Sequence, residues 1–124
     1  MPVEDRKHVL VVDDSPMVLD LVTTALEMRG YDVTSCNDLE ELERAPLHEV
    51  DLFLLDVQMP EAFGDHVAAI LHLVREVTVP IFLFSHLSDE DLENRVQEAG
   101  CAGFISKRNG ISAMADTVDD LLMR

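Results

Sequence analysis

Positive charge is scarce in this chain. Nine Lys and Arg stand against 25 Asp and Glu, a formal net charge of −16. So acidic a surface repels phosphate backbones and anionic lipid, which makes nucleic acid and membranes poor partners. Cysteine is also scarce: Cys36 and Cys101 are too few for a disulfide framework, no Cys-x-x-Cys occurs, and two reduced structural thiols are expected. None of the five histidines, His8, His48, His66, His72 and His86, lies at the i, i+4 spacing of a helical zinc site. Long hydrophobic runs are missing as well. The first, Val9 to Val12, is far too short for a signal peptide or a membrane span, so a cytoplasmic protein is expected. Repeats, low-complexity tracts and linkers are absent.

What is present suits one globular unit. A length of 124 residues, 48% of them apolar, can bury a substantial core. Residues 1–124 read as a single domain with a polar tail over 1–7, leaving no room for an appended DNA-binding domain. The organising stretch is Val50 to Pro60, VDLFLLDVQMP. Leu52, Phe53, Leu54 and Leu55 are apolar on every residue, the pattern of a short strand buried on both faces. The strand runs into Asp56, and Gln58-Met59-Pro60 then breaks it, because proline has no N–H for a ladder.

The rest of the chain repeats one alternation. HVLVVDD over 8–14 is a strand ending in two carboxylates. Ser15 can cap a helix that begins at Pro16, carries Val18, Leu21, Val22, Ala25 and Met28 on an apolar face, and ends at Gly30. Tyr31 to Cys36 reads as a second strand. Asp38 starts a short acidic helix with Leu39 and Leu42, stopped near Pro46. After the Asp56 strand, Gly64 opens a helix with Val67, Ile70, Leu71 and Val74 on one face. Val79 to Ser85 is a further buried strand. Ser88 to Asp91 matches a capping box for a helix burying Leu92, Val96 and Ala99 and ending at Gly100. Gly103 to Lys107 is a fifth strand, and the last helix carries Met114, Val118, Leu121 and Leu122. Five βα repeats predict an α/β fold, a flavodoxin-like doubly wound parallel sheet of order 2-1-3-4-5.

In such sheets chemistry collects beyond the carboxyl ends of the strands. The residues there are Asp13, Asp14, Asp56, Ser85 and Lys107. One acid would suffice to cap the first helix, which leaves the second unexplained. Three carboxylates held together repel one another and require a cation, and Mg²⁺ suits an all-oxygen donor set. A carboxylate oxygen can then attack a phosphoryl group, with Ser85 and Lys107 placed to stabilise its oxygens. The residues alone point to an aspartyl-phosphate site.

The acidic pair VVDD at 11–14, LLD-x-x-MP at 54–60, FS at 84–85 and FISK at 104–107 resemble the receiver domain of bacterial two-component response regulators, in its stand-alone, chemotaxis-regulator form. The resemblance runs from about His8 to the final helix. It implies that Asp56 accepts a phosphoryl group from a histidine kinase or phosphotransfer protein. It implies that Asp14 and Asp56, with the Gln58 backbone carbonyl, hold Mg²⁺ while Asp13 acts through water, and that Ser85 and Lys107 bind the phosphoryl group. Phe104 matches an aromatic that turns inward as the serine moves, although a core Phe fits the sequence equally well. The surface so altered is the fourth helix, fifth strand and fifth helix, offered to an unknown downstream protein by a monomer or weak dimer. Two residues depart from the pattern: Arg108 follows the lysine where proline is usual, and His86 follows the serine where a small residue is usual, so an imidazole could crowd access to Asp56. The module would not be an enzyme in its own right. A phosphorylation-independent pseudo-receiver remains an alternative. A haloacid-dehalogenase-type phosphatase is weaker, since it needs D-x-D after the first strand, and a flavin carrier is weaker still for want of phosphate-cradling donors.

Overall fold

Alternation within the strands determines how the protein is layered. The computed structural model describes residues 6–56 and 79–123. Five parallel strands, β1 (His8–Val12), β2 (Asp32–Cys36), β3 (Leu52–Leu55), β4 (Ile81–Ser85) and β5 (Gly103–Ser106), form one sheet in the order β2-β1-β3-β4-β5. Successive side chains on a strand point to opposite faces, so each strand feeds two cores. Val9, Val11, Leu52, Leu54, Phe84 and Ile105 face one side and meet helices α1 (Pro16–Glu27) and α4 (Ile111–Leu122). Leu10, Val12, Phe53, Leu55 and Leu83 face the other and meet Leu42 of α2 (Leu39–Glu43) and Leu92 of α3 (Asp89–Ala99). This is the doubly wound sheet expected from the sequence. The fourth and fifth helices of that expectation are α3 and α4 here. The helix expected from Gly64, and Gln58 with it, lie outside the described residues.

The caps fall where the local chemistry puts them. Ser15 Oγ accepts from the Val18 amide at 3.3 Å, and Pro16 opens α1, where its missing N–H costs nothing. Ser88 Oγ accepts from the Asp91 amide at 3.1 Å, and α3 ends at Gly100 with φ +73°, a left-handed conformation that favours glycine. Gly103 is required for a different reason. A Cβ there would lie 2.7 Å from the Phe82 ring, so any side chain at 103 would force that ring to move.

Some details differ from the sequence expectation. The buried stripe of α1 is Leu19, Val22 and Leu26, flanked by Val18 and Ala25, while Leu21 and Met28 are 49% and 83% exposed. The helix carries two adjacent apolar stripes, and the sheet covers the one centred on Leu19 and Leu26. β2 begins at Asp32, and Tyr31 before it is buried in the core with Leu26 of α1. Leu121 is exposed at the end of α4, and Ala115 takes a core position instead. Cys36 and Cys101 are unpaired, one on β2 and one just before β5 at the opposite edge of the sheet. Burial pushes the Cys36 thiol up to about 11, which keeps it protonated. Among the described residues no peptide bond is cis, Lys107–Arg108 included, as the cost of a non-proline cis bond leads one to expect.

A polar network joins the α1–β2 turn to α4. The Tyr31 hydroxyl donates to Asp119 Oδ1 at 2.6 Å, and Arg29 Nη1 donates to Asp119 Oδ2 at 2.5 Å and Asp116 Oδ1 at 2.8 Å. The Tyr31 bond, then Arg29, holds the Asp119 carboxyl below its ordinary range, while burial and that same bond raise the Tyr31 phenol. A carboxyl depressed by folding contributes stability above its unfolded pKa, about 3.9, and loses it as pH falls through the lower folded value. Tyr31→Phe should therefore cost about 1–2 kcal/mol at pH 7. The gap from the unaltered protein should close as pH is lowered through the acid range in urea melts. A gap independent of pH would assign the loss to packing alone.

Candidate functional site

Strand ends bring the candidate residues together. β1 and β3 are adjacent and in register, Val12 beside Leu55, so Asp13 and Asp56 leave the sheet side by side. The Asp13 amide donates to Cys36 O at 3.0 Å and the Asp56 amide to Val12 O at 2.9 Å, which carries the ladder one residue past each strand and fixes both backbones. Asp13 and Asp56 are only 1% and 2% exposed, whereas Asp14 is exposed. One carboxylate oxygen from each of Asp13, Asp14 and Asp56 lies within 4.8 Å of the others. Hard oxygen donors on a half-open rim are the donor set of a small divalent cation such as Mg²⁺.

Lys107 reaches this cluster from the far strand of the same edge. Its Nζ donates to Asp13 Oδ2 at 2.6 Å and lies 3.6 Å from Asp56 Oδ1, with its side chain only 9% exposed. Nζ also stands 5.2 Å above the Phe84 ring, whose face attracts a cation. Nothing in the sequence alone gave Phe84 this role. The turn that aims Lys107 is a short 3-10 segment, Lys107–Asn109, capped by Ser106 Oγ accepting from the Arg108 amide at 3.2 Å. β5 thus ends one residue before the lysine rather than including it. Ser106 is buried, and its neighbours Lys-Arg-Asn-Gly were the available sign of such a turn.

Ser85 ends β4, fully buried, and its Oγ accepts from the Leu87 amide at 3.2 Å. Another side-chain hydroxyl, Ser15, sits at the cluster through its backbone: the Ser15 amide donates to Asp13 Oδ1 at 3.0 Å. Asp13 is thus satisfied on both oxygens, by an amide and an ammonium. His86, first residue after β4, is exposed. Phe104 pairs in register with Leu83 and packs, partly buried, on the α2–α3 side of the sheet. The structure therefore gathers the Asp13, Asp14 and Asp56 carboxylates and brings Lys107 onto Asp13 and Asp56. Ser85 ends the strand between β3 and β5.

Comparison with known proteins agrees with this geometry. The family model for the response regulator receiver domain matches residues 9–119. A curated relative, the polar-differentiation response regulator DivK of Brucella anthropi, is 30% identical over 118 residues, covering 94% of this chain and 96% of its own. The solved chemotaxis response regulator CheY4 of Vibrio cholerae is similar in structure, with a TM-score of 0.78 at 25% identity, covering 94% of this chain and 99% of its own. A response regulator from Thermotoga maritima shares the fold, with a TM-score of 0.74 at 24% identity over 96% of this chain and 99% of its own. An acid cluster met by a lysine at the carboxyl edge of a 2-1-3-4-5 sheet, on a chain matched from β1 into α4, has one consistent identity: the chain belongs to the response regulator receiver domain family, the signalling module of two-component systems.

Proposed function

We propose that this receiver domain is a phosphoacceptor and that Asp56 is its phosphorylated residue. The observation carrying this is the placement of a buried Asp56 carboxylate 3.6 Å from Lys107 Nζ, within a three-carboxylate cluster. An Asp56 oxygen attacks the phosphorus of a phosphohistidine on a kinase or phosphotransfer protein. The new O–P bond forms as the P–N bond breaks, and the imidazole leaves with the electron pair and takes a proton. Lys107 and the Ser85 hydroxyl bind the transferred oxygens, and the Lys107 ammonium offsets charge that the buried carboxylates cannot. Asp14 and Asp56, with the Gln58 carbonyl, would hold Mg²⁺ and Asp13 would act on it through water. Bound there, the ion supplies the charge neutralisation that lets a dianion approach an acidic site.

A local charge of this size can bias a two-state element. Ser85 and Phe104 are the proposed moving parts, and the α3–β5–α4 face is the surface read by a downstream protein. His86 would tune access to Asp56. Among the described residues no helix is long and apolar enough to cross a membrane, which accords with work in the cytoplasm. Incubation with acetyl phosphate and Mg²⁺ should add one phosphoryl group by intact mass, and Asp56→Asn should add none. An unaltered protein that takes up no phosphoryl group, or an adduct that survives in Asp56→Asn, would sink the assignment.

A further inference from the structure

Arg108 departs from the sequence pattern, yet its side chain is held in place. Its Nη2 donates to Asp89 Oδ1 at 2.8 Å. Asp89 is the first residue of α3, next to the cap Ser88 and four residues beyond Ser85. Arg108 is the second residue of the turn that begins with Lys107. The pair therefore ties the β4–α3 loop to the β5–α4 turn, two segments that leave the sheet side by side where Ser85 pairs with Ser106. Each segment delivers one residue to the phosphoryl site, Ser85 from the first and Lys107 from the second. Both ends of the pair are solvated, with side chains 49% and 70% exposed, so it contributes little to global stability. Its effect is local, on the spacing of two functional groups.

We infer that Arg108 and Asp89 are positioning residues, a clasp that fixes Lys107 and Ser85 relative to each other across the site. This rests on the phosphoacceptor reading above. Arg108 touches no reacting atom; it acts through the turn that carries Lys107. A small misplacement of such groups lowers the rate of transfer without altering donor capture. A contrasting role, Arg108 as a cation that attracts the donor, makes the opposite forecast for Asp89. Freeing the guanidinium from its carboxylate would then speed the reaction.

The test measures phosphorylation by acetyl phosphate with Mg²⁺, by intact mass against time, at several donor concentrations. It compares the unaltered protein, Arg108→Ala, Asp89→Asn and the exchanged pair Arg108→Asp with Asp89→Arg. Both single variants should slow the rate at saturating donor by about twofold to fivefold, the range of an exposed ion pair. Half-saturation should be unchanged, and the exchanged pair should recover most of the rate. The difference should shrink in 1 M salt, where the Debye length is about 3 Å. Asp89→Asn faster than the unaltered protein, or an exchanged pair as slow as the singles, overturns the clasp, as do equal rates in all four proteins. Absence of any adduct in the unaltered protein overturns the phosphoacceptor reading itself and the clasp with it.

Discussion

Lys107→Met should lower stability at pH 7 by about 3 kcal/mol without Mg²⁺, and should enlarge rather than abolish the stabilisation that Mg²⁺ brings. Methionine keeps the length of the lysine stem and can pack on the Phe84 ring over which Nζ now stands. What is lost is the charge. The lysine is nearly buried and serves two carboxylates that are themselves buried, at 2.6 and 3.6 Å. Without it, three acids within 4.8 Å face one another with no lysine charge to offset their repulsion. The rim at Asp14 is open to water, which moderates the cost. A divalent ion that binds only the folded protein stabilises by mass action, and it gains most where the internal cation is gone. Urea melts with and without Mg²⁺ measure both effects. A smaller Mg²⁺ shift in Lys107→Met than in the unaltered protein would show that the lysine does not share the charge of this cluster. Asp14→Ala serves as the control and should lose most of the shift.

Phe53→Ala should cost about 3–5 kcal/mol, a large part of the roughly 5–15 kcal/mol that holds a domain together. Phe53 is 1% exposed on the central strand, paired to Leu10 on one side and Ile81 on the other. Its ring fills the core between the sheet and α2 and α3. Asp56 stands three residues on, just past the end of the same strand. Phosphoryl uptake per total protein should therefore fall in step with the folded fraction, while uptake per folded molecule stays near that of the unaltered protein. Denaturant melts and intact mass on one preparation give both numbers. A cost below about 1.5 kcal/mol would mean that neighbouring side chains close the cavity.

The strands and the acid edge were legible from local patterns, and the strand order from the few arrangements that right-handed crossovers allow. A short run apolar on every residue, ended by a polar one, reads as a strand buried on both faces, and parallel connection puts all those ends on one edge. Asp13 and Asp56 follow from that pattern, whereas Ser85 and Lys107 drew their weight from standing at the same edge as the acids. Contacts set by packing between distant segments were not legible. Val18, Leu21, Val22, Ala25 and Met28 satisfy helical spacing as well as Leu19, Val22 and Leu26 do, and only the sheet decides between the stripes. The bonds of Tyr31 and Arg29 to Asp119 span 88 and 90 residues and leave no periodic trace. Arg108 stood out as a departure, but its partner Asp89 lay in an acidic run that resembles any solvated helix start.

The carboxylates at the strand ends have a consequence for the unfolded chain. VLVV and LFLL are short, uncharged and rich in β-formers, the kind of segment that seeds cross-β aggregation when exposed. In the folded sheet both are completely covered. In the unfolded chain Asp13 and Asp14 follow the first, while Asp51 and Asp56 bracket the second. Charges in these places act as gatekeepers against self-association. Replacing them to probe the site removes that protection too, so Asp13→Asn and Asp56→Asn would be expected to refold in lower yield and to precipitate sooner, independently of any change in phosphoryl chemistry.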